Sequence, residues 1–198
     1  MAEQVPFVGL TGGLGAGKST ALAALERLGA AVISSDAVVH ELYDGDELRD
    51  AVVARFGAEV APRGVVDRSE LARRAFATEE DRAWLEGLVW PLVAARVARW
   101  LSEARERRPA PPAAVVEVPL LFEAGLQDIY DATIAVISDE SVRSERAAAR
   151  GHAAVDERAA RQLTQQEKAA KATYVVRNDG TEADLKRELS AVLVKLGG

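Results

Sequence analysis

The chain has 198 residues and contains no cysteine, one methionine, two histidines and only 5% aromatic residues. Zero cysteine excludes disulfides and thiolate metal sites and fits a reducing cytosol. His40 and His152 have no companions at metal-ligand spacing, so neither is read as a metal ligand. No run approaches the roughly 20 consecutive apolar residues that cross a bilayer, so no membrane partner is expected. Basic excess is missing too. The chain has 25 Lys and Arg against 31 Asp and Glu, a net charge of −6, which argues against a nucleic-acid partner. The opening Met1-Ala2-Glu3-Gln4 lacks the basic flank of a signal peptide, so a cytoplasmic protein is expected. There is no internal repeat. What remains, 48% apolar and 28% charged residues, is ordinary for a globular chain of one domain, or one domain carrying an insertion. A monomer or weak homo-oligomer is expected.

Glycine, by contrast, is concentrated in one place. Gly12-Gly13-Leu14-Gly15-Ala16-Gly17-Lys18-Ser19 fits G-x-x-x-x-G-K-[ST], followed by Thr20. Its context is the one this motif requires. The apolar run Val5–Leu10 precedes it as a strand, and Leu22, Leu25 and Leu28 follow at helical spacing. Glycines let backbone N–H groups turn inward around a phosphate, and the helix N-terminus adds partial positive charge. Lys18 can then reach the outer phosphates of a nucleotide, and the Ser19 hydroxyl can hold the magnesium that accompanies them. A glycine turn that merely links strand to helix would leave the Lys-Ser pair unexplained. A dinucleotide G-x-G-x-x-G is absent, since Lys18 stands where its third glycine would be.

Strands are expected at Ala30–Ser34, Ala113–Val118, Ala132–Ile137 and Tyr174–Val176. Between the second and third strands the pattern is helical at Val38–Tyr43, Glu47–Phe56, Ser69–Phe76 and Glu79–Arg107. Asp67 with Glu70, and Thr78 with Asp81, read as helix-start caps. Pro91 is expected to start or kink a helix near Trp90. Later helices are expected at Asp139–Arg150, Asp156–Lys171 and, capped by Thr181, Glu182 to about Leu196. Strands alternating with helices imply an α/β chain whose parallel sheet is covered on both faces, with an inserted helical subdomain. Ligands then bind beyond the strand C-termini, near Ser34–Asp36, Glu117–Glu123, Ser138–Asp139 and Arg177–Gly180.

Asp36 can accept or orient the proton of an attacking hydroxyl there, or cap the following helix. Arg143, Arg146 and Arg150 share one helix face, where either a triphosphate or Glu140 and Glu145 can balance them. Glu117 continues the third strand and is a Walker B candidate, or a satisfied polar residue at a strand end. Trp84, Trp90 and Trp100 read as core of the insertion.

Taken together, these segments resemble dephospho-coenzyme A kinases along nearly the whole chain. The resemblance is carried by Gly9–Thr20, by Val32-Ile33-Ser34-Ser35-Asp36, and above all by Val118-Pro119-Leu120-Leu121-Phe122-Glu123-Ala124-Gly125. Glu145-Arg146 with Arg150, Gln162 spaced to Lys168, and Asn178-Asp179-Gly180 fall in the family's order. The resemblance implies a three-layer P-loop kinase fold, with a core of 1–36 and 113–198, an acceptor-binding insertion at 37–112 and a lid near 139–171. It implies transfer of the ATP γ-phosphate to the ribose 3′-hydroxyl of dephospho-coenzyme A. On it, Asp36, Lys18 and Arg146 are catalytic. Gly13, Leu14, Gly15, Ala16, Gly17, Lys18, Ser19, Thr20, Arg146, Arg150, Asn178 and Gly180 hold ATP, while Asp36, His40, Leu120, Phe122 and Glu123 line the acceptor side. Trp90-Pro91 replaces the family's usual His-Pro, and Ala172-Thr173-Tyr174 replaces Ala-Asp-Tyr. Another small-molecule P-loop kinase, or a regulator that binds ATP without transfer, are the competing readings.

Overall fold

Apolar runs become parallel strands here because a strand covered on both faces has no polar side to show to water. The computed structural model describes residues 4–140, 142 and 162–198. Its strands are β1 (Phe7–Gly12), β2 (Ala31–Ser34), β3 (Ala114–Glu117), β4 (Ala132–Ile137) and β5 (Tyr174–Arg177). They form one parallel sheet in the order β2-β3-β1-β4-β5. Leu10 of β1 pairs with Glu117 on one side and Ile134 on the other. From β1 the chain passes to β2 at one edge, and after β3 it crosses β1 to reach β4, so the direction of winding reverses beside β1. In such sheets ligands bind beyond the strand C-termini at that point.

Seven α-helices have bounds within the described residues: α1 (Lys18–Arg27), α2 (Ser35–Tyr43), α3 (Asp46–Phe56), α4 (Arg68–Ala75), α5 (Glu79–Glu106), α6 (Gln165–Lys171) and α7 (Glu182–Leu196). The chain divides into a sheet unit, Met1–Ser34 with Leu101–Gly198, and a helical unit, Ser35–Trp100.

In the sheet unit, strand periodicity sorts β1 by face. Val8 and Leu10 join a core with Ala21, Ala24 and Leu25 of α1 and Leu185, Leu189 and Val192 of α7. Thr11, of the opposite parity, meets Lys168 of α6 instead. α7 starts at a capping box in which the Thr181 hydroxyl accepts the Asp184 N–H while the Asp184 carboxylate accepts from the Thr181 backbone.

In the helical unit, Leu48, Val52, Leu71, Leu85 and Val89 form a separate apolar cluster. The Asp67 carboxylate caps α4 by accepting from the N–H groups of Ser69 and Glu70, each at 3.0 Å. α5 covers the helical stretch expected over Glu79–Arg107 and runs through Pro91, so of the two expectations for that proline a helix start is ruled out. Proline removes the one bond that would reach the Gly87 carbonyl. Leu85 and Val89 before it, and Leu92 and Val93 after it, pack on the same cluster and carry the helix across. Among the tryptophans, Trp100 is buried and Trp84 lies edge-on to Phe56, but Trp90 is 58% exposed and is not core.

Of the helix expected over Asp156–Lys171, residues 156–161 lie outside the described residues, 162–164 are not helical, and α6 starts at Gln165 behind the Thr164–Glu167 capping box. Arg143, Glu145, Arg146, Arg150 and His152, and much of the expected lid, lie outside the described residues. No helix among the described residues is long and apolar enough to cross a membrane.

Candidate active site

The phosphate loop occupies the end of the central strand. Gly12 closes β1 where its backbone runs against the Val136 carbonyl of β4, and a Cβ at that position would collide with that oxygen. Gly17 then turns the chain into α1 with φ 89°, a left-handed conformation that side chains resist. It is the N-cap of α1 and offers no side-chain acceptor to the first-turn N–H groups, unlike Asp67, Thr164 and Thr181 at their helices. A helix N-terminus without a side-chain cap is the arrangement that suits an anion. Lys18 opens α1, and its Nζ donates to the carbonyls of Gly12 at 3.1 Å and Gly13 at 3.3 Å. Ser19 and Thr20 follow on the exposed first turn.

The loop is braced from behind by Asn178. This side chain, just past β5 and almost wholly buried, donates from Nδ2 to the Ala16 carbonyl at 2.9 Å. Its own N–H donates to the Ile137 carbonyl, while Ser138 Oγ donates to the Asn178 carbonyl at 3.2 Å. Gly180 is exposed at the end of that turn. Beside it, burial alone would raise the Asp179 carboxyl. The Asp139 N–H and the Arg177 guanidinium outweigh burial and hold it below the usual carboxylate range.

Glu117 ends β3 in a buried position and accepts from Ser34 Oγ, at the end of β2, at 2.7 Å. Beyond β3, the stretch 118–125 forms consecutive turns, with the Ala124 N–H donating to the Leu120 carbonyl and Leu121 lying against Gly9 of β1. Leu121 is fully buried, Phe122 nearly so, and Leu120 is partly exposed. Glu123 Oε1 pairs with Lys168 Nζ at 3.0 Å and accepts the Leu163 N–H at 2.8 Å.

In the helical unit, Asp36 is the second residue of α2, which begins directly where β2 ends. His40 lies on the same helix and is exposed, with Nδ1 donating to the Asp36 carbonyl at 2.7 Å. Arg146 and Arg150 lie outside the described residues.

A strand, a phosphate-loop motif and a helix with no side-chain N-cap, together with Glu117 and the Pro-Leu-Leu-Phe-Glu stretch, stand at the C-terminal end of the parallel sheet. The sequence model of the family described as dephospho-CoA kinase matches residues 6–184. The chain belongs to the dephospho-CoA kinase family. A dephospho-CoA kinase from Dechloromonas aromatica is 39% identical over 191 residues, covering 93% of this chain and 90% of that protein. Among solved structures, TT1252 from Thermus thermophilus matches with a TM-score of 0.81 and 34% identity, covering 99% of this chain and 100% of that one. The dephospho-CoA kinase from Campylobacter jejuni shares the fold, with a TM-score of 0.69 at 23% identity over 96% of each chain.

Two contacts of this dephospho-CoA kinase family member were not legible in its sequence. Lys168 in Gln-Gln-Glu-Lys-Ala-Ala-Lys reads as a solvated lysine, and only its place in the family's order marked it; it is fully buried. Asn178 reads as a turn residue, yet its amide holds the phosphate loop.

Proposed function

We propose that this chain transfers the γ-phosphate of ATP to the ribose 3′-hydroxyl of dephospho-coenzyme A, giving coenzyme A and ADP, the last step of coenzyme A synthesis. The observation that carries this reading is an uncapped phosphate-loop helix at the central strand of a dephospho-CoA kinase family chain.

In this reading the N–H groups of Gly13–Thr20 hold the triphosphate, and Lys18 supplies a cation to its outer oxygens. The residues present fit magnesium: the Ser19 hydroxyl, a hard oxygen donor, stands exposed on the first turn of α1. Ser19 would hold the ion. When bound, magnesium neutralises charge that develops on the phosphate oxygens. Asp36 accepts or orients the proton of the 3′-hydroxyl as it attacks. Arg146 and Arg150 offset charge on the transferred group. Asn178 and Gly180 serve the adenine side, Asn178 by fixing the loop at Ala16. Leu120, Phe122, Glu123 and His40 serve the acceptor side, with the helical unit as the acceptor-binding insertion and the cytoplasm as the place of action.

The test is ADP release from purified protein with ATP and magnesium, given dephospho-coenzyme A, adenosine, AMP or no acceptor. Release that depends on dephospho-coenzyme A, with a 3′-phosphorylated product by mass, is expected. Release only with another acceptor would keep the kinase and discard this acceptor. ATP binding without release under any condition would leave a regulator.

A further inference from the structure

A charged side chain withdrawn from water needs compensation from whatever surrounds it. Lys168 is such a group, with 0% exposure on α6. Its Nζ donates to the Pro119 carbonyl at 2.5 Å, lies 3.4 Å from Thr11 Oγ1 as donor, and pairs with Glu123 Oε1 at 3.0 Å. These partners belong to segments that the phosphotransfer reading uses. Thr11 directly precedes Gly12, where the phosphate loop opens. Pro119 and Glu123 bracket Leu120-Leu121-Phe122 on either side. Glu123 Oε1 also accepts the Leu163 N–H, downstream in sequence of Arg146 and Arg150.

The pair is not fully satisfied. Glu123 Oε2 is buried with no hydrogen-bond partner among the described residues, so the carboxylate depends on Lys168 for its compensating charge. Apolar side chains of similar volume are commonly as stabilising as a buried ion pair, and a half-satisfied polar network is less favourable still. Stability therefore does not explain the lysine. Its position is itself held: Gln165, one turn earlier on α6, accepts the Ser138 N–H at 3.1 Å and donates to the Ser138 carbonyl at 2.7 Å. α6 is thereby anchored to the end of β4, and Lys168 reaches across to β1 and to the 119–123 stretch from a fixed point.

We propose that Lys168 is a positioning residue for phosphoryl transfer: acting through Glu123, it sets the Leu120–Phe122 stretch on the acceptor side relative to the start of the phosphate loop. The role rests on the kinase reading above and adds to it a residue that touches neither substrate. A small misplacement of a reacting group has a large kinetic effect, so the consequence belongs to acceptor use rather than to ATP binding.

The experiment is a double-mutant cycle of Lys168→Met and Glu123→Gln, with steady-state kinetics for both substrates and thermal melts of each protein. Lys168→Met alone is expected to lower kcat/KM for dephospho-coenzyme A by roughly 10- to 100-fold. Its KM for ATP should stay within about twofold of wild type. In the Glu123→Gln background, adding Lys168→Met should change kcat/KM for the acceptor by less than about twofold, because the partner it acts through is already neutral. The double variant should melt above Lys168→Met, since no buried carboxylate is left uncompensated. Independent, multiplying losses from the two changes would overturn the role. So would an equal loss for ATP and acceptor, an unchanged acceptor kcat/KM in Lys168→Met, or the absence of a cooperative melt in both Lys168 variants, which would mark the pair as holding the fold. A wild-type chain with no dephospho-coenzyme A-dependent ADP release would overturn the kinase reading, and this role with it.

Discussion

The two units of the chain bury different chemistry. Among the described residues, the buried polar side chains are Thr11, Glu117, Thr133, Ser138, Lys168 and Asn178, and all belong to the sheet unit. The helical unit buries Leu48, Val52, Leu71, Leu85 and Val89, and keeps its charges near the surface in pairs such as Arg55 with Glu80 and Asp81. A net hydrogen bond adds only about 1 kcal/mol to stability, whereas an unmade one inside the protein costs more. Buried polar contacts are thus a poor way to gain stability and an effective way to hold backbone in one place. The sheet unit uses them where Asn178 meets Ala16 and Lys168 meets Pro119. The helical unit is held by apolar volume.

The strongest way to break this contrast is to separate binding from chemistry. Lys18→Ala, in the sheet unit, is expected to weaken ATP binding and to cut turnover by about two to three orders of magnitude. Asp36→Ala, at the first turn of the helical unit, should leave ATP affinity nearly intact and lower turnover by about two orders of magnitude or more. Isothermal titration with an ATP analogue and ADP-release kinetics read the two separately. Full activity in either variant would remove the role given to that residue.

Next in size come two buried side chains chosen for their difference. Leu71→Ala in the helical cluster should cost about 2–5 kcal/mol in chemical denaturation, through lost burial and the cavity left behind. At temperatures where the protein is folded, its KM for ATP should match wild type. Asn178→Ala should cost about 1–3 kcal/mol, by stranding the Ala16 carbonyl, and should raise the KM for ATP as the loop loosens. If Leu71→Ala moved the KM for ATP and Asn178→Ala did not, the contrast between the units would be reversed.

The smallest effect belongs to the surface of the helical unit. The guanidinium of Arg73, then that of Arg74, lowers the Glu70 carboxyl from 4.5 to about 2. A depressed carboxyl adds stability that is present above the ordinary value and is lost as pH falls through the folded one. The melting difference between wild type and Glu70→Gln should therefore be small at neutral pH and shrink as pH falls from 4.5 toward 2. A difference that grew on acidification would show that Glu70 is not held by its arginines.

Much of this architecture is legible in the sequence. Glycine spacing from Gly12 to Ser19 marks the loop because few other functions need that many glycines before Lys-Ser. β4 and α7 were expected close to their observed bounds, since a continuous apolar run and a Thr-capped periodic segment are local signals. Local signals fall short where tertiary contacts outweigh them. Pro91 lies inside a helix because the residues on both sides of it share one apolar cluster. Trp90, an aromatic expected in the core, is exposed. The non-helical 162–164 interrupt the helix expected over Asp156–Lys171, at the point where Thr164 and Glu167 form a capping box that apolar periodicity alone does not reveal.

The sequence by itself determined the phosphate loop, the alternation of strands and helices, the family and, through it, the reaction. These are properties of short segments, where spacing and residue type suffice. Only the tertiary structure decided that Asn178 holds Ala16 and that Lys168 is buried against Thr11, Pro119 and Glu123. Those partners are separated by 45 to 162 positions along the chain. Whether a lysine meets water or a carboxylate depends on which strands become neighbours, and no local pattern records that.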